Sequence, residues 1–232
     1  MVILERLRRN YWQYRERKHI LAWRRVVGLY VFLLMVWGVY RFLSPLPVWV
    51  EETLLKGLVF GGPVWWLTFK VEKLGFASLG ISTKRLFEAA YLGFSLGAFF
   101  WIFGQLANIL RFQGILTIRD IQPTSAEFGG FLLLALVTAW WEELVFMGYL
   151  LPRLTLLLNQ EWKAALLTSS LFALLYVPAI LVRGSSVAQL IIQLLLLMAL
   201  GLGNSILMLR TRNLAAPILT HALWGVTMYL LV

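Results

Sequence analysis

Cysteine is absent from this sequence of 232 residues, and both acidic residues and histidine are scarce. Without cysteine the chain can form neither a disulfide nor a thiolate metal site. Only 11 acidic residues stand against 21 basic ones, and histidine occurs twice. Any carboxylate or imidazole chemistry must therefore come from a small set of side chains. No internal repeat or low-complexity linker is visible, so the length fits one domain of ordinary size.

Hydrophobic residues make up 60% of the sequence, and the mean hydropathy is +0.78. This composition excludes an ordinary soluble globular protein. Eleven tryptophans and fifteen phenylalanines add the aromatic excess that is typical near membrane interfaces.

Apolar stretches long enough to approach a membrane span recur along the chain. A helix needs about twenty mainly apolar residues to cross the hydrocarbon core. Seven stretches come close to this length: 26–43, 53–69, 86–110, 128–151, 164–182, 187–209 and 214–232. We therefore predict an all-α, polytopic transmembrane helix bundle of about seven spans. The Gly61-Gly62-Pro63 sequence predicts a kink or break in the second span.

The net charge of +10 is concentrated near the N-terminus. Eight basic residues lie there: Arg6, Arg8, Arg9, Arg15, Arg17, Lys18, Arg24 and Arg25. A basic segment directly before an apolar span is typical of a cytoplasmic anchor and not of a nucleic-acid-binding protein. The segment is too long for a signal peptide, and no small-residue cleavage site follows it. We predict that residues 1–25 stay cytoplasmic and that residues 6–25 contact anionic lipids.

The remaining basic residues support one orientation of the bundle. With the N-terminus inside, sixteen of the 21 basic residues fall on the inner side, as the positive-inside rule requires. The prediction is then a cytoplasmic segment 1–25, three spans within 26–127 and four spans within 128–232. No organelle signal is visible, so a bacterial-type plasma membrane is the default. A thylakoid or other inner membrane fits equally well.

Two adjacent carboxylates, Glu142 and Glu143, lie inside the fourth apolar stretch. Ionised groups at membrane depth are costly, so this pair is a candidate functional site. The pair precedes Leu151 by eight or nine residues, which is about 12–14 Å of helix. His221 follows Leu214 by seven residues, or about 10 Å. The similar depth predicts that the imidazole and the carboxylates share one polar site.

Three segments, in order, resemble the motifs of a known family. They are Glu142–Leu151, Thr168–Tyr176 and Asn213–Gly225. These segments are similar to the Glu-Glu-x-x-x-Arg, Phe-x-x-x-His and His-x-x-x-Asn motifs of the CPBP family (CAAX-protease and bacteriocin-processing, or Abi) of intramembrane endopeptidases. Order and spacing agree over about residues 128–232. Residues 72–76 also look like a common upstream feature of that family.

The resemblance implies roles for the residues that match the motifs. By resemblance, Glu142 would be the base that activates water, Glu143 its partner, and His221 a proton donor or ligand. Phe172 also matches its motif position. Peptide hydrolysis needs a base for water, a proton donor for the leaving amine and a group that stabilises the oxyanion.

Three positions depart from the family's motifs. The arginine, the second histidine and the asparagine are replaced by Met147, Tyr176 and Gly225, and these positions would line the site or the substrate. The arginine would have held Glu143 ionised. We therefore expect the carboxylate pair to lack a counter-charge and to share a proton.

The same replacements limit the metal ligands that the motifs can supply. A catalytic zinc usually has three protein ligands. With one imidazole lost, the motifs would supply His221 and Glu143. Zinc therefore stays open, and the sequence gives no support for any other cofactor.

Two functions remain open from the sequence. One is a membrane endopeptidase, impaired or altered, that cleaves a membrane-associated peptide or protein near the cytoplasmic face. The other is an inactive relative that keeps the polar cluster to bind, chaperone or scaffold membrane peptides. A proton-coupled transporter has only the carboxylates in its favour.

Structural roles also account for each of these polar residues. The carboxylate pair would then stabilise the packing of the helices by pairing with His221 or Arg153. Tyr176 would be a core aromatic residue. We interpret Glu51 and Glu52, at the outer edge of the second span, as solvated.

Overall fold

The computed structural model describes residues 2–43, 46–111 and 125–230, with side chains described over 20–43, 46–102 and 128–226. Every regular element in these ranges is helical, and no strand occurs among them. The predicted all-α, polytopic bundle is confirmed.

Seven helices, α1 to α7, follow the order of the predicted spans in the described chain. Their bounds are α1 Val2–Arg41, α2 48–71, α3 Leu86–Arg111, α4 125–158, α5 161–182, α6 Val187–Thr211 and α7 Ala215–Leu230. A short 3₁₀ helix, Phe76–Leu79, lies between α2 and α3. Helix α4 contains a π-helical segment, Leu144–Leu150, between the α-helical segments Ser125–Glu143 and Leu151–Leu158. Helix α5 consists of Glu161–Leu175 and Val177–Val182 on either side of Tyr176.

Within the described ranges, four helical stretches are long and apolar enough to cross a membrane. They are Ile20–Arg41, Phe128–Leu158, Glu161–Val182 and Val187–Thr211. Helices α3 and α7 add the shorter apolar stretches Leu86–Ile102 and Ala215–Val226. The side of the membrane on which the N-terminus lies stays a prediction from the charge distribution.

The break predicted in the second span is absent, because residues 48–71 stay helical throughout. Pro63 lies in the first turn of the α-helical segment Gly62–Trp65, which follows the π-helical segment Gly57–Gly61. Pro63 therefore lies where the helical repeat changes and not at the start of a separate helix. Gly61 serves helix packing instead: a Cβ atom there would lie 2.6 Å from Cζ3 of Trp141 on α4.

Helix α4 lies at the centre of the bundle and packs against α2, α5, α6 and α7. All seven residues of its π-helical segment are buried. A π-helical turn inside an α-helix is uncommon and is frequent at functional sites. The segment starts directly after Glu143, so the carboxylate pair lies at the junction where the helical repeat changes.

Helices α3 and α7 approach each other closely at Gly93, and this contact leads to a prediction. The Gly93 carbonyl accepts a hydrogen bond from Thr220 Oγ1 at 2.9 Å, and a Cβ atom on Gly93 would lie 2.9 Å from Ala216 Cα. Gly93→Ala should therefore lower the free energy of unfolding by about 1–3 kcal/mol, since two backbones would have to separate. Gly129→Ala is the control, because a Cβ atom there meets nothing within 4 Å. Denaturant unfolding in detergent measures both, and equal stability of the two variants would contradict this packing.

Candidate active site

The structure brings Glu142, Glu143 and His221 together. The Nδ1 atom of His221 lies 2.7 Å from Glu143 Oε1, and its Nε2 atom lies 3.8 Å from Glu142 Oε2. All three residues are buried, with exposed fractions of 3%, 0% and 5%. Helix α7 therefore presents one imidazole to both carboxylates of α4, at the shared depth that the sequence predicts. Their catalytic roles stay a prediction.

Both carboxylate oxygens of Glu142 are engaged by other side chains. Lys56 Nζ lies 2.6 Å from Oε1, and the Tyr176 hydroxyl donates a hydrogen bond to Oε2. The same ammonium lies 2.5 Å from Glu52 Oε2, which also accepts a hydrogen bond from Thr138 Oγ1 at 2.7 Å. Lys56 thus lies between two buried carboxylates, one on its own helix and one on α4.

Glu143 is held differently from its neighbour. Its Oε1 atom accepts a hydrogen bond from Asn204 Nδ2 at 2.8 Å, in addition to its contact with His221. Its Oε2 atom is buried and has no hydrogen-bond partner among the described residues, and neither has Asn204 Oδ1. An unpartnered buried oxygen is costly. Glu143 Oε2 is therefore the oxygen of the pair that is open to a further hydrogen-bond donor.

The aromatic ring of Phe172 packs against the imidazole. The Phe172 ring meets His221 edge to face, with ring centroids 5.6 Å apart and planes at 89°. It makes similar contacts with Tyr176 at 5.4 Å and with Phe146 at 5.2 Å. Phe172 therefore separates the polar groups from the remaining apolar core and fixes the ring orientation of His221.

The remaining positions singled out by the sequence also lie beside the site. Met147 is fully buried, and its sulfur lies 3.5 Å from Ser205 Oγ. Gly225 lies one helical turn after His221 and faces α4, because a Cβ atom there would lie 3.5 Å from Ala135 Cβ. Met147 offers no charge, and Gly225 offers no side-chain donor.

Glu51 and Glu52 are buried, so their interpretation as solvated residues was wrong. Arg41 Nη1 lies 2.6 Å from Glu51 Oε1, and the Tyr40 hydroxyl donates to Glu51 Oε2 at 3.0 Å. Glu52 pairs with Lys56, as described above. A position at the edge of an apolar run does not show whether a side chain is solvent-exposed. Here α1 and α4 cover this end of α2 and supply partners for both carboxylates.

Sequence reasoning also missed Lys56. A signal was present, since a lysine four residues after a glutamate can pair with it on one helix face, and a lysine inside an apolar stretch needs a partner. The prediction that Met147 leaves the carboxylate pair without a counter-charge was wrong for Glu142. The Lys56 ammonium supplies that charge to Glu142 from a different helix.

Arg153, a predicted partner of the carboxylate pair, contacts Glu72 instead. Its Nη2 atom lies 2.6 Å from Glu72 Oε2, and the Tyr149 hydroxyl donates to Glu72 Oε1 at 2.9 Å. This second polar cluster connects the segment after α2 to the C-terminal part of α4. It accounts for the upstream motif at residues 72–76 as a structural contact.

The described residues do not form a metal site at this position. No group of three or more His, Asp, Glu or Cys side chains in the described ranges could hold a metal ion. The Lys56 ammonium also occupies the cation position beside Glu142, where a divalent ion would meet a like charge. Among the described residues, His221 and Glu143 supply two of the three protein ligands that a catalytic zinc usually has, and zinc binding stays a prediction.

Comparison with known proteins gives one finding on the family. The sequence model of the family described as type II CAAX prenyl endopeptidase Rce1-like matches residues 124–227. Comparisons with curated proteins and with solved structures each give no significant match. The matched segment contains the carboxylate pair, Tyr176 and His221, whereas Lys56 lies outside it. The resemblance to the CPBP family is thus confirmed over residues 124–227, a segment that matches the Rce1-like model and carries altered residues at three motif positions.

Proposed function

We propose that this integral membrane protein binds membrane-associated peptides through its Rce1-like core and does not hydrolyse them at an enzymatic rate. The binding of peptides is carried over from the family, whose members are described as prenyl endopeptidases. The absence of efficient hydrolysis is supported by one observation: both oxygens of Glu142 are engaged by Lys56 and Tyr176.

A general base must reach the proton that it removes, directly or through one water molecule. Glu142 has an exposed fraction of 3%, and its carboxylate is enclosed by an ammonium and a phenol. A proton placed on Glu142 would break a buried ion pair, and removing one charge of such a pair is strongly unfavourable. The contacts with Lys56 and Tyr176 therefore oppose the action of Glu142 as a base.

The groups that would assist hydrolysis are also missing or committed. A tetrahedral intermediate needs hydrogen-bond donors aimed at its oxyanion. The Tyr176 hydroxyl already donates to Glu142, and Gly225 has only backbone groups, which belong to the hydrogen bonding of α7. Of the three altered motif positions, none supplies a free donor.

A second candidate function is slow peptide hydrolysis near the cytoplasmic face, with Glu143 in place of Glu142 as the base. It is favoured by a specific observation: Glu143 Oε2 is the unpartnered carboxylate oxygen of the pair, and His221 lies 2.7 Å from the other oxygen. A carboxylate oriented by an imidazole can accept a proton from water and pass it to a leaving amine. This reaction would need a path for water to Glu143.

A binding and cleavage assay separates these functions. The full chain, purified in detergent, is incubated with a farnesylated CAAX-type peptide and with the same peptide lacking the farnesyl group. We expect saturable binding of the farnesylated peptide and no cleavage above that of Glu142→Gln. The control is Glu88→Gln, an exposed carboxylate of α3 paired with Arg85, which should bind like the wild type.

The pattern of losses identifies the base if cleavage occurs. Cleavage that is lost in Glu142→Gln and in His221→Ala would contradict the proposal and establish the family mechanism. Cleavage that survives Glu142→Gln but is lost in Glu143→Gln would establish the second candidate. A protein that binds neither peptide would contradict peptide binding by the core.

A further inference from the structure

Helices α1 and α2 line an open surface groove of about 480 Å³ that the proposed function does not use. The two helices run antiparallel, as the ion pairs Arg41–Glu51 and Arg25–Glu72 at opposite ends of the pair show. The volume lies within the range of roughly 300–1,000 Å³ that is typical of small-molecule sites. The groove is therefore large enough for a ligand and not merely for water.

Two glycines leave the floor of the groove open. Gly28 on α1 and Gly62 on α2 both line it, and a Cβ atom added to either would meet nothing within 4 Å. Most side chains at these positions would project into the groove. The open space is therefore a property of these two residues and not of loose packing along the helices.

The walls are apolar and the charge is confined to one end. Apolar residues line most of the groove, and two of them, Phe32 and Trp66, are exposed at its rim. Among the described residues that line it, Arg24 and Arg25 are the ionisable ones. The surface thus combines a cationic end with an apolar channel, which is the complement of an anionic amphiphile.

The arginines are available to bind an anion. Arg24 is exposed and makes no hydrogen bond or ion pair with any described residue. Arg25 lies 3.7 Å from Glu72, but that carboxylate is already held by Arg153 at 2.6 Å. The exposed Lys70 near the end of α2 adds a further positive charge on the same side.

The positions along α1 match the layers of a bilayer. The first apolar stretch of the sequence begins at residue 26, directly after Arg24 and Arg25, so these two arginines lie at the interfacial end of the span. Phe32 lies two turns further, about 12 Å deeper. A tryptophan such as Trp66 is typical of the interface. We propose that the groove binds one anionic phospholipid, with its phosphate on Arg24 and Arg25 and an acyl chain between α1 and α2 along Phe32 and Trp66.

Native mass spectrometry of the full chain in detergent tests this site. The probes are phosphatidylglycerol, phosphatidylcholine with the same acyl chains, and glycerol phosphate without chains. We expect one phosphatidylglycerol to be retained in preference to both other probes. Arg24→Gln should weaken its binding about fivefold, the effect of one basic residue at an anionic headgroup. Gly28→Phe should abolish binding because the ring fills the groove.

Matched variants elsewhere on the surface provide the controls. Arg183→Gln removes an exposed arginine between α5 and α6, and Gly129→Phe adds a ring where a Cβ atom also meets nothing within 4 Å. Both should bind phosphatidylglycerol like the wild type. Equal retention of phosphatidylglycerol and phosphatidylcholine would overturn the proposal. So would displacement of the lipid by glycerol phosphate or by a farnesylated peptide, or wild-type affinity in Arg24→Gln.

Discussion

Replacement of Lys56 by methionine is expected to lower the free energy of unfolding by about 3–5 kcal/mol, because it leaves two buried carboxylates without their shared counter-charge. Lys56 lies 2.6 Å from Glu142 Oε1 and 2.5 Å from Glu52 Oε2, and its exposed fraction is 2%. Methionine preserves the length and apolar character of the side chain, so the loss reports the charge and not a cavity. Denaturant unfolding of the detergent-solubilised protein measures the change.

Two further variants make this prediction specific. Lys70→Met removes an exposed lysine from the same helix and should change stability little. Combining Lys56→Met with Glu52→Gln and Glu142→Gln should recover most of the loss, since no buried charge then remains unpaired. If Lys56→Met alone unfolds like the wild type, the ammonium does not neutralise these carboxylates.

Restoration of the three altered motif positions is expected to raise peptide hydrolysis by about 10²–10⁴-fold, the contribution typical of a positioned acid–base group. The variant combines Met147→Arg, Tyr176→His and Gly225→Asn. It frees Glu142 Oε2 from the tyrosine hydroxyl and places a guanidinium one turn after Glu143, within reach of its unpartnered Oε2 atom. Position 225 accepts a Cβ atom, because one built on Gly225 lies at an ordinary contact distance of 3.5 Å from Cβ of the facing alanine on α4.

The rate is followed with a farnesylated CAAX-type peptide and the purified full chain. Glu142→Gln added to the triple variant should abolish the gain, which assigns it to the family mechanism and not to a contaminating protease. Gly225→Asn alone should gain little, because Tyr176 still engages Glu142. A triple variant that folds and binds the peptide but shows no gain in hydrolysis would contradict this prediction. It would mean that the three altered motif positions are not what prevents hydrolysis.

The helices could be predicted because their signal is local. In hydrocarbon every backbone group must be satisfied within the segment, so an apolar run of sufficient length has few alternatives to a helix. The seven apolar stretches accordingly recur as seven helices in the described chain. Counting residues along α4 and α7 also places Glu142, Glu143 and His221 at similar depth, since the rise per residue is nearly constant.

The partners of the charged residues could not be predicted, because they depend on how helices rotate against each other. Lys56 and Glu142 are 86 residues apart, and nothing in either stretch indicates that they face one another. The burial of Glu51 is equally hidden, because the end of an apolar run does not show whether a neighbouring helix covers it. Arg153 follows the carboxylate pair on the same helix, yet it pairs with Glu72 across the bundle.

The glycines of α2 show the same limit. Gly61 and Gly62 are adjacent, and with Pro63 they suggest a break in the helix. In the folded chain Gly61 accommodates the Trp141 ring, whereas Gly62 faces an open groove. The sequence shows that both residues are glycines, but it does not show which neighbouring group each of them faces. Only the packing of α2 against α1 and α4 distinguishes the two roles.

The ion pair between Lys56 and Glu142 crosses the boundary of the family match, which begins at residue 124. The matched segment 124–227 therefore does not contain the counter-charge of its own glutamate Glu142. That charge comes from Lys56 on α2, which lies outside the match. Lys56 serves Glu142, whereas the motif arginine would serve Glu143, so Met147 leaves Glu143 with His221 and Asn204 as its described partners. A sequence motif for this protein should accordingly include Lys56 of α2 together with Glu142 of α4, because the two charges form one ion pair.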